Sequence, residues 1–171
     1  LVGSEMCIRD SNNGRHINAH GGGVLFHEGR YYWFGEHRPA KGFSTEVGVT
    51  CYSSPDLCNW TYEGVALPVS SEEGNDIEKG CIMERPKVIY NAKTGKFVMW
   101  FHLELKGEGY AAARAAVAVS DTPAGPYRFV RSCRVNPGVY PQNMTKAERK
   151  AKLDTKDYKT WWTPEWRRAV E

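Results

Sequence analysis

No stretch of this chain is apolar for long enough to cross a bilayer as a helix, and the excess of one sign of charge over the other is small. Lysine and arginine number 23 against 20 aspartates and glutamates, a formal net charge of +3. Residues 137–171 hold eight Lys/Arg and five Asp/Glu, so most of the surplus sits in one mixed-sign segment. Interspersed charge of this kind reads as a solvated helical face. It lacks the one-signed patch that grips phosphates, which argues against a nucleic-acid partner. None of the five cysteines forms a CxxC pair. A glycine-rich phosphate loop, zinc-ligand spacing and the serine–histidine–aspartate order of hydrolases are missing too, so nucleotide, zinc and serine-nucleophile chemistry have no support. Cys51 and Cys58 flank one turn. Either a disulfide in an oxidising compartment or two buried thiols on neighbouring strands fits that spacing.

What the chain does have is aromatic side chains, 12% of the residues with six Trp, arranged in two copies of one pattern. The segments Ala19–His37 and Glu84–His102 each read as a short apolar strand, a Gly-containing turn and an aromatic strand ending in His or Glu. Val24 and Val88 are about 64 positions apart, and Ser53-Ser-Pro-Asp precedes Ser120-Asp-Thr-Pro by about 67. Period-two alternation predicts strands over 22–27, 30–36, 46–53 and 60–66, and again over 86–90, 96–103, 112–120 and 127–132. Gly29 and Gly95 mark tight hairpin turns. Two units of four strands, neither able to bury its faces alone, are the mark of propeller blades, and two blades cannot close a propeller. Large apolar faces are expected to remain open, with marginal stability as the consequence.

The ends differ from the repeat. Residues 1–11, Leu1-Val-Gly-Ser-Glu-Met-Cys-Ile-Arg-Asp-Ser11, resemble a translated sequencing adapter and are expected to be non-native. Setting Glu5, Arg9 and Asp10 aside makes the net charge +4. Residues 12–136 are then blades one and two. Residues 137–171 are expected to form a helical insertion leading toward a third blade and cut short, the chain reading as a fragment truncated at both termini. In that insertion Thr145-Lys-Ala-Glu148 is a capping box, and Thr163-Pro-Glu opens a second helix. Trp161, Trp162 and Trp166 are expected to anchor these helices, a sugar-stacking platform being the rival role.

The order of motifs resembles glycoside hydrolase family 43, in its exo-β-1,3-galactanase-like branch. The residues that carry the likeness are Ile17-Asn-Ala-His-Gly-Gly-Gly-Val24, Tyr31-Tyr-Trp-Phe-Gly-Glu-His37, Cys51-Tyr-Ser-Ser-Pro-Asp-Leu-Cys-Asn-Trp60, Glu84-Arg-Pro-Lys-Val-Ile-Tyr-Asn91 and Ala115–Tyr127. The resemblance implies an all-β fold, about two blades of a five-bladed β-propeller, and an inverting glycosidase that removes terminal β-1,3-linked galactose from a galactan. An α-L-arabinofuranosidase, a β-xylosidase and a non-catalytic carbohydrate-binding propeller are the alternatives. It also implies a saccharide partner, no membrane partner and a secreted or periplasmic location. No cofactor is implied; some members hold calcium in the channel, but the sequence shows no metal site. Where much of the family has an Asp as general base, this chain has His20. Where a second Asp tunes the acid, it has Lys87. The family's general acid is a Glu on blade three, and no residue here is matched to it.

The candidate site residues follow from strand position. Glu84 opens the innermost strand of blade two and is expected to tune the acid or bind sugar. Its alternative is a salt bridge to Arg85 or Lys87. His20 precedes three glycines that permit close approach, and it is expected to bind a hydroxyl or position water, or to be structural. Glu36 and His102 end the aromatic strands of the two blades and are candidate sugar ligands; His37 is expected at the surface. Asn18 offers a donor to a sugar hydroxyl or forms an Asx turn. Tyr110, in a Gly-flanked loop, either stacks on a sugar or packs. Arg85 is expected to orient Glu84.

Overall fold

The computed structural model describes residues 10–140 and 142–150, in which eight strands make two antiparallel four-stranded sheets. The first sheet is the meander β1 (His20–His27), β2 (Arg30–Glu36), β3 (Gly48–Ser54) and β4 (Thr61–Pro68). The second repeats it with β5 (Ile82–Asn91), β6 (Lys96–Glu104), β7 (Arg114–Ser120) and β8 (Arg128–Cys133). These are two blades of a β-propeller. A 3-10 turn, Gly109–Ala112, joins β6 to β7, and a short helix α1 spans Lys146–Lys150. The capping box forms as expected: Thr145 Oγ1 accepts from the Glu148 N–H, and the Thr145 N–H donates to the Glu148 carboxylate. Residues 1–9 of the leader lie outside the described residues, as do Thr163 and the tryptophans at 161, 162 and 166.

All eight expected strands exist, but β1 and β5 begin earlier than alternation suggested. The cause is a bulge in each. In β5 the ladder pairs Glu84 with His102, skips Arg85 and Pro86, and resumes at Lys87 with Trp100. Proline reads as a strand terminator because it cannot donate to a ladder, yet at a bulge no donor is needed. In β1 the skip falls at the equivalent place, between His20, paired with Glu36, and Gly23, paired with Phe34. The bulged residues Gly21 and Arg85 share the left-handed conformation, φ 59° and 53°. That geometry is free for glycine and strained for arginine.

The blades pack face to face. Phe34, Val49 and Leu67 from the first sheet meet Met83, Met99, Phe101 and Leu103 from the second in one core, all of them buried. Tyr127 seals its edge. Its ring lies edge-on to Phe34 at 5.9 Å, and its N–H donates to the Ala66 carbonyl at 2.7 Å. The first strands β1 and β5 touch each other directly, so the leading ends of the two innermost strands converge. The opposite faces stay open: Val24 and Phe26 on blade one, and Ile89 and Trp100 on blade two, are exposed. Cys51 and Cys81 are buried thiols, whereas Cys58 and Cys133 are exposed, and Cys51 and Cys58 do not bridge to each other. Burial pushes the Cys81 thiol up to about 12.

The three glycines after His20 accommodate the protein itself. A Cβ on Gly22 would fall 1.7 Å from the Phe34 carbonyl oxygen, and one on Gly23 would meet the Lys87 side chain at 2.6 Å. The Phe34 carbonyl is backbone and cannot yield locally. Gly22→Ala is therefore expected to destabilise the protein by about 3 kcal/mol through overpacking. Chemical denaturation checks this, and an unchanged midpoint would show that the bulge can open at no cost.

A cross-blade carboxylate cluster as candidate active site

Four ionised or ionisable side chains meet where β1 and β5 converge. Glu36, the last residue of β2, is fully buried. Glu84, before the β5 bulge, is mostly buried, with a side-chain exposure of 17%. Two carboxylates brought this close in a site screened from water require a cation between them. Arg38 supplies it, reaching back from the loop after β2. Its Nη2 donates to Glu84 Oε1 at 2.8 Å, and its Nε lies 2.8 Å from Glu36 Oε2. The Nε–H itself is directed at His20 Nδ1, 3.3 Å away, so the contact with Glu36 is an ion pair set off the N–H axis. One guanidinium thus ties His20 and Glu36 of blade one to Glu84 of blade two.

Each member is held by further bonds. Thr45, fully buried in the β2–β3 loop, donates its hydroxyl to Glu36 Oε1 at 3.0 Å and accepts the Met83 N–H at 3.0 Å. Its own N–H donates to the Cys81 carbonyl at 2.7 Å, a second stitch between the blades. Asn18 grips the Arg38 backbone at both ends: Nδ2 donates to the Arg38 carbonyl and Oδ1 accepts the Arg38 N–H, each at 2.8 Å. Both ends of its amide therefore join a long-range clamp, which is not an Asx turn. The Arg38 guanidinium also sits 5.4 Å from the Phe43 ring centroid.

The remaining candidates are arranged around this cluster. His102 Nε2 lies 3.0 Å from Glu104 Oε1, and its ring is 5.9 Å from that of the exposed Tyr110. Arg85 is largely exposed, and its Nη2 is 3.7 Å from Glu84 Oε2, a looser contact than Arg38 makes. Lys87 donates to the Gly22 carbonyl at 2.8 Å and leaves Glu84 to the arginines. His37 is half-buried and borders a cavity of about 310 Å³ with Asn18, Tyr52 and His16. Among the described residues no group of three or more His, Cys, Asp or Glu is placed to hold a metal ion.

Arg38 and Thr45 escaped the sequence reading because neither lies in the repeat. The signal was indirect: two acidic residues at the ends of adjacent strands need a counter-charge, and Arg38 is the basic residue nearest Glu36 after the strand stops.

The chain belongs to glycoside hydrolase family 43. Among solved structures it is 74% identical to the β-1,3-galactosidase BT3683, solved with galactodeoxynojirimycin, with a TM-score of 0.76 over 93% of this chain and 46% of that one. An exo-β-1,3-galactanase from Clostridium thermocellum is 45% identical, TM-score 0.66, over 77% of this chain and 28% of that one. The exo-β-1,3-galactanase from Phanerochaete chrysosporium, solved with galactose, is 37% identical, TM-score 0.66, over 74% and 28%. The chain spans less than half the length of each. No protein-family model and no curated relative matches it.

Burial pushes the Glu36 carboxyl up to about 7. The Arg38 cation and the Thr45 hydroxyl oppose that rise, and Glu84 and Glu104 reinforce it. Unfolded, the same group titrates near 4.5. Between those values the folded protein keeps a proton that the unfolded chain has released. The stability it contributes is therefore full below about 4.5 and is lost as pH rises through about 7. Glu36→Gln removes this titration, so the variant's Tm should fall less than the parent's between pH 5 and 7.5 by calorimetry. Parallel curves would place the proton elsewhere.

Proposed function

We propose that the protein carrying this chain is an inverting, exo-acting glycosidase that removes terminal β-1,3-linked galactose from galactan-type polysaccharide. The observation that carries the reading is the polar cluster at the converging inner-strand ends, in a chain 74% identical to a β-1,3-galactosidase. Glycoside hydrolysis needs a proton donor for the leaving oxygen and a group that activates water, set far enough apart in an inverting enzyme to admit that water. Strand ends from several blades can surround one sugar at such a place. In this reading Glu84 is the carboxylate at the sugar, accepting hydroxyl hydrogen bonds or tuning the proton donor. His20 binds a hydroxyl or positions water. His102 and Tyr110 border the site from blade two, and Tyr110 offers an exposed ring to a sugar face. Glu36 stands behind them. The proton donor is assigned to none of the described residues. The reaction as proposed uses no cofactor, and a polymeric substrate suits a secreted or periplasmic enzyme.

The test is product release from β-1,3-galactan by the complete gene product. Free galactose released from the chain end, with inverted anomeric configuration by NMR, is expected. Release from arabinosides or xylosides instead would change the substrate and keep the class, and binding without turnover would make the protein a carbohydrate-binding propeller. Glu84→Gln should lower kcat by roughly 10²-fold or more if the carboxylate acts in the transition state. An unchanged rate would leave Glu84 as one arm of an ion pair.

A further inference from the structure

Resting on that reading of the site, we infer that Arg38 is its positioning residue. It fixes Glu84 across the blade boundary, with the Asn18 clamp and the buried Glu36 carboxyl holding Arg38 in turn.

The Glu84 backbone is paired with His102, but among the described residues its carboxylate accepts no hydrogen bond from its own blade. Glu84 sits immediately before Arg85, whose left-handed backbone interrupts the ladder, so the strand around it is bent by the bulge. Its two close polar neighbours are Arg38 at 2.8 Å and Arg85 at 3.7 Å. The Arg85 side chain is 64% exposed, whereas that of Arg38 is 20% exposed. A solvent-exposed arginine at 3.7 Å constrains a carboxylate weakly, and a largely enclosed one fixed at both ends constrains it closely. The fixing is unusually complete. The Arg38 backbone is closed in a two-bond ring with the Asn18 amide, and the Asn18 N–H in turn donates to the Tyr52 hydroxyl at 3.1 Å. The Asn18 carbonyl accepts the Thr50 hydroxyl at 2.5 Å. The far end of the side chain is set by Glu36 and His20. Every anchor, from Tyr52 and Thr50 through Asn18, belongs to blade one, and the group being aimed belongs to blade two. Lysine would not reproduce it: the planar fork holds Nε and Nη2 at a fixed angle toward Glu36, His20 and Glu84, and a single ammonium on a flexible stem does not.

The inference reassigns Asn18. Its amide binds the Arg38 backbone at both ends, so it acts on Glu84 through Arg38.

A double-mutant cycle on the complete gene product tests this. Arg38→Lys should lower kcat on β-1,3-galactan by roughly 10²-fold, with KM changed less than about threefold, as misplacement of a reacting group does. In a Glu84→Gln background the same substitution should change kcat by less than about threefold, because the residue it positions is already gone. Additive losses would overturn the inference and make Arg38 a substrate contact. An unchanged kcat in Arg38→Lys would overturn it as well. Asn18→Asp, which turns a donor into an acceptor against the Arg38 carbonyl, is the gentler second variant. It should reproduce the kcat loss to a smaller degree, and a normal kcat in it would count against the clamp. Should the parent release no galactose, the proposed function fails while the positioning inference is still read crystallographically. The Glu84 carboxylate should leave its place in Arg38→Lys, and an unmoved carboxylate would overturn the positioning role.

Discussion

The convergence of like charge at the inner ends of two blades is the constraint to which everything nearby answers. Glu36 and Glu84 come from different sheets and approach one site because β1 and β5 are packed together. Without a cation between them, one would have to stay protonated or the blades would have to part at that end. Arg38 removes the conflict, and Thr45 and Asn18 follow from Arg38. Thr45 satisfies the Glu36 oxygen that the guanidinium does not reach, and Asn18 keeps the guanidinium from swinging out. Pairing of this kind does not necessarily add to stability, since desolvation offsets much of the attraction. Removing one partner, however, leaves a buried charge alone at a cost of about 3–5 kcal/mol. The network is better understood as a device that permits only one arrangement of these chains.

The fold was legible because alternation and turn chemistry agree along nearly the whole of both blades. The pattern Phe97, Met99, Phe101, Leu103, buried at every second residue, gives both the strand and the face that meets blade one. What the pattern missed were the beginnings of β1 and β5, where Gly21 and the Arg85–Pro86 pair look like stops but form bulges. A bulge spends two residues against one and so breaks the period by which strands are recognised. The cysteines were ambiguous for a different reason. Sequence spacing brings Cys51 and Cys58 near one another, but the strand turns Cys51 into the core while Cys58 stays on the exposed turn.

The candidate site was half legible. Strand-end position picked out Glu84, Glu36 and His20, and the structure gathers all three around one guanidinium. It did not pick out that guanidinium, because Arg38 lies beyond the strand, next to Pro39, where a basic residue reads as an ordinary solvated loop. Nor could spacing tell that Asn18 faces a backbone twenty residues later. Long-range bonds of this kind depend on the path of a loop, and loops carry no period.

The matched bulges have a further consequence. At the same register position blade one pairs His20 on its first strand with Glu36 on its second, and blade two pairs Glu84 on its first with His102 on its second. The two duplicates thus carry the same acid–imidazole couple with the members exchanged. Depth does the rest: the outer seat of the couple in blade one is sealed from solvent, while the inner seat in blade two keeps a partial opening. One carboxylate is thereby shut into the dry interior, where burial pushes it up to about 7, and the other keeps an edge open to solvent. A repeated motif has given two unlike groups without any change in its inventory, by the transposition of two side chains across a single rung of the ladder.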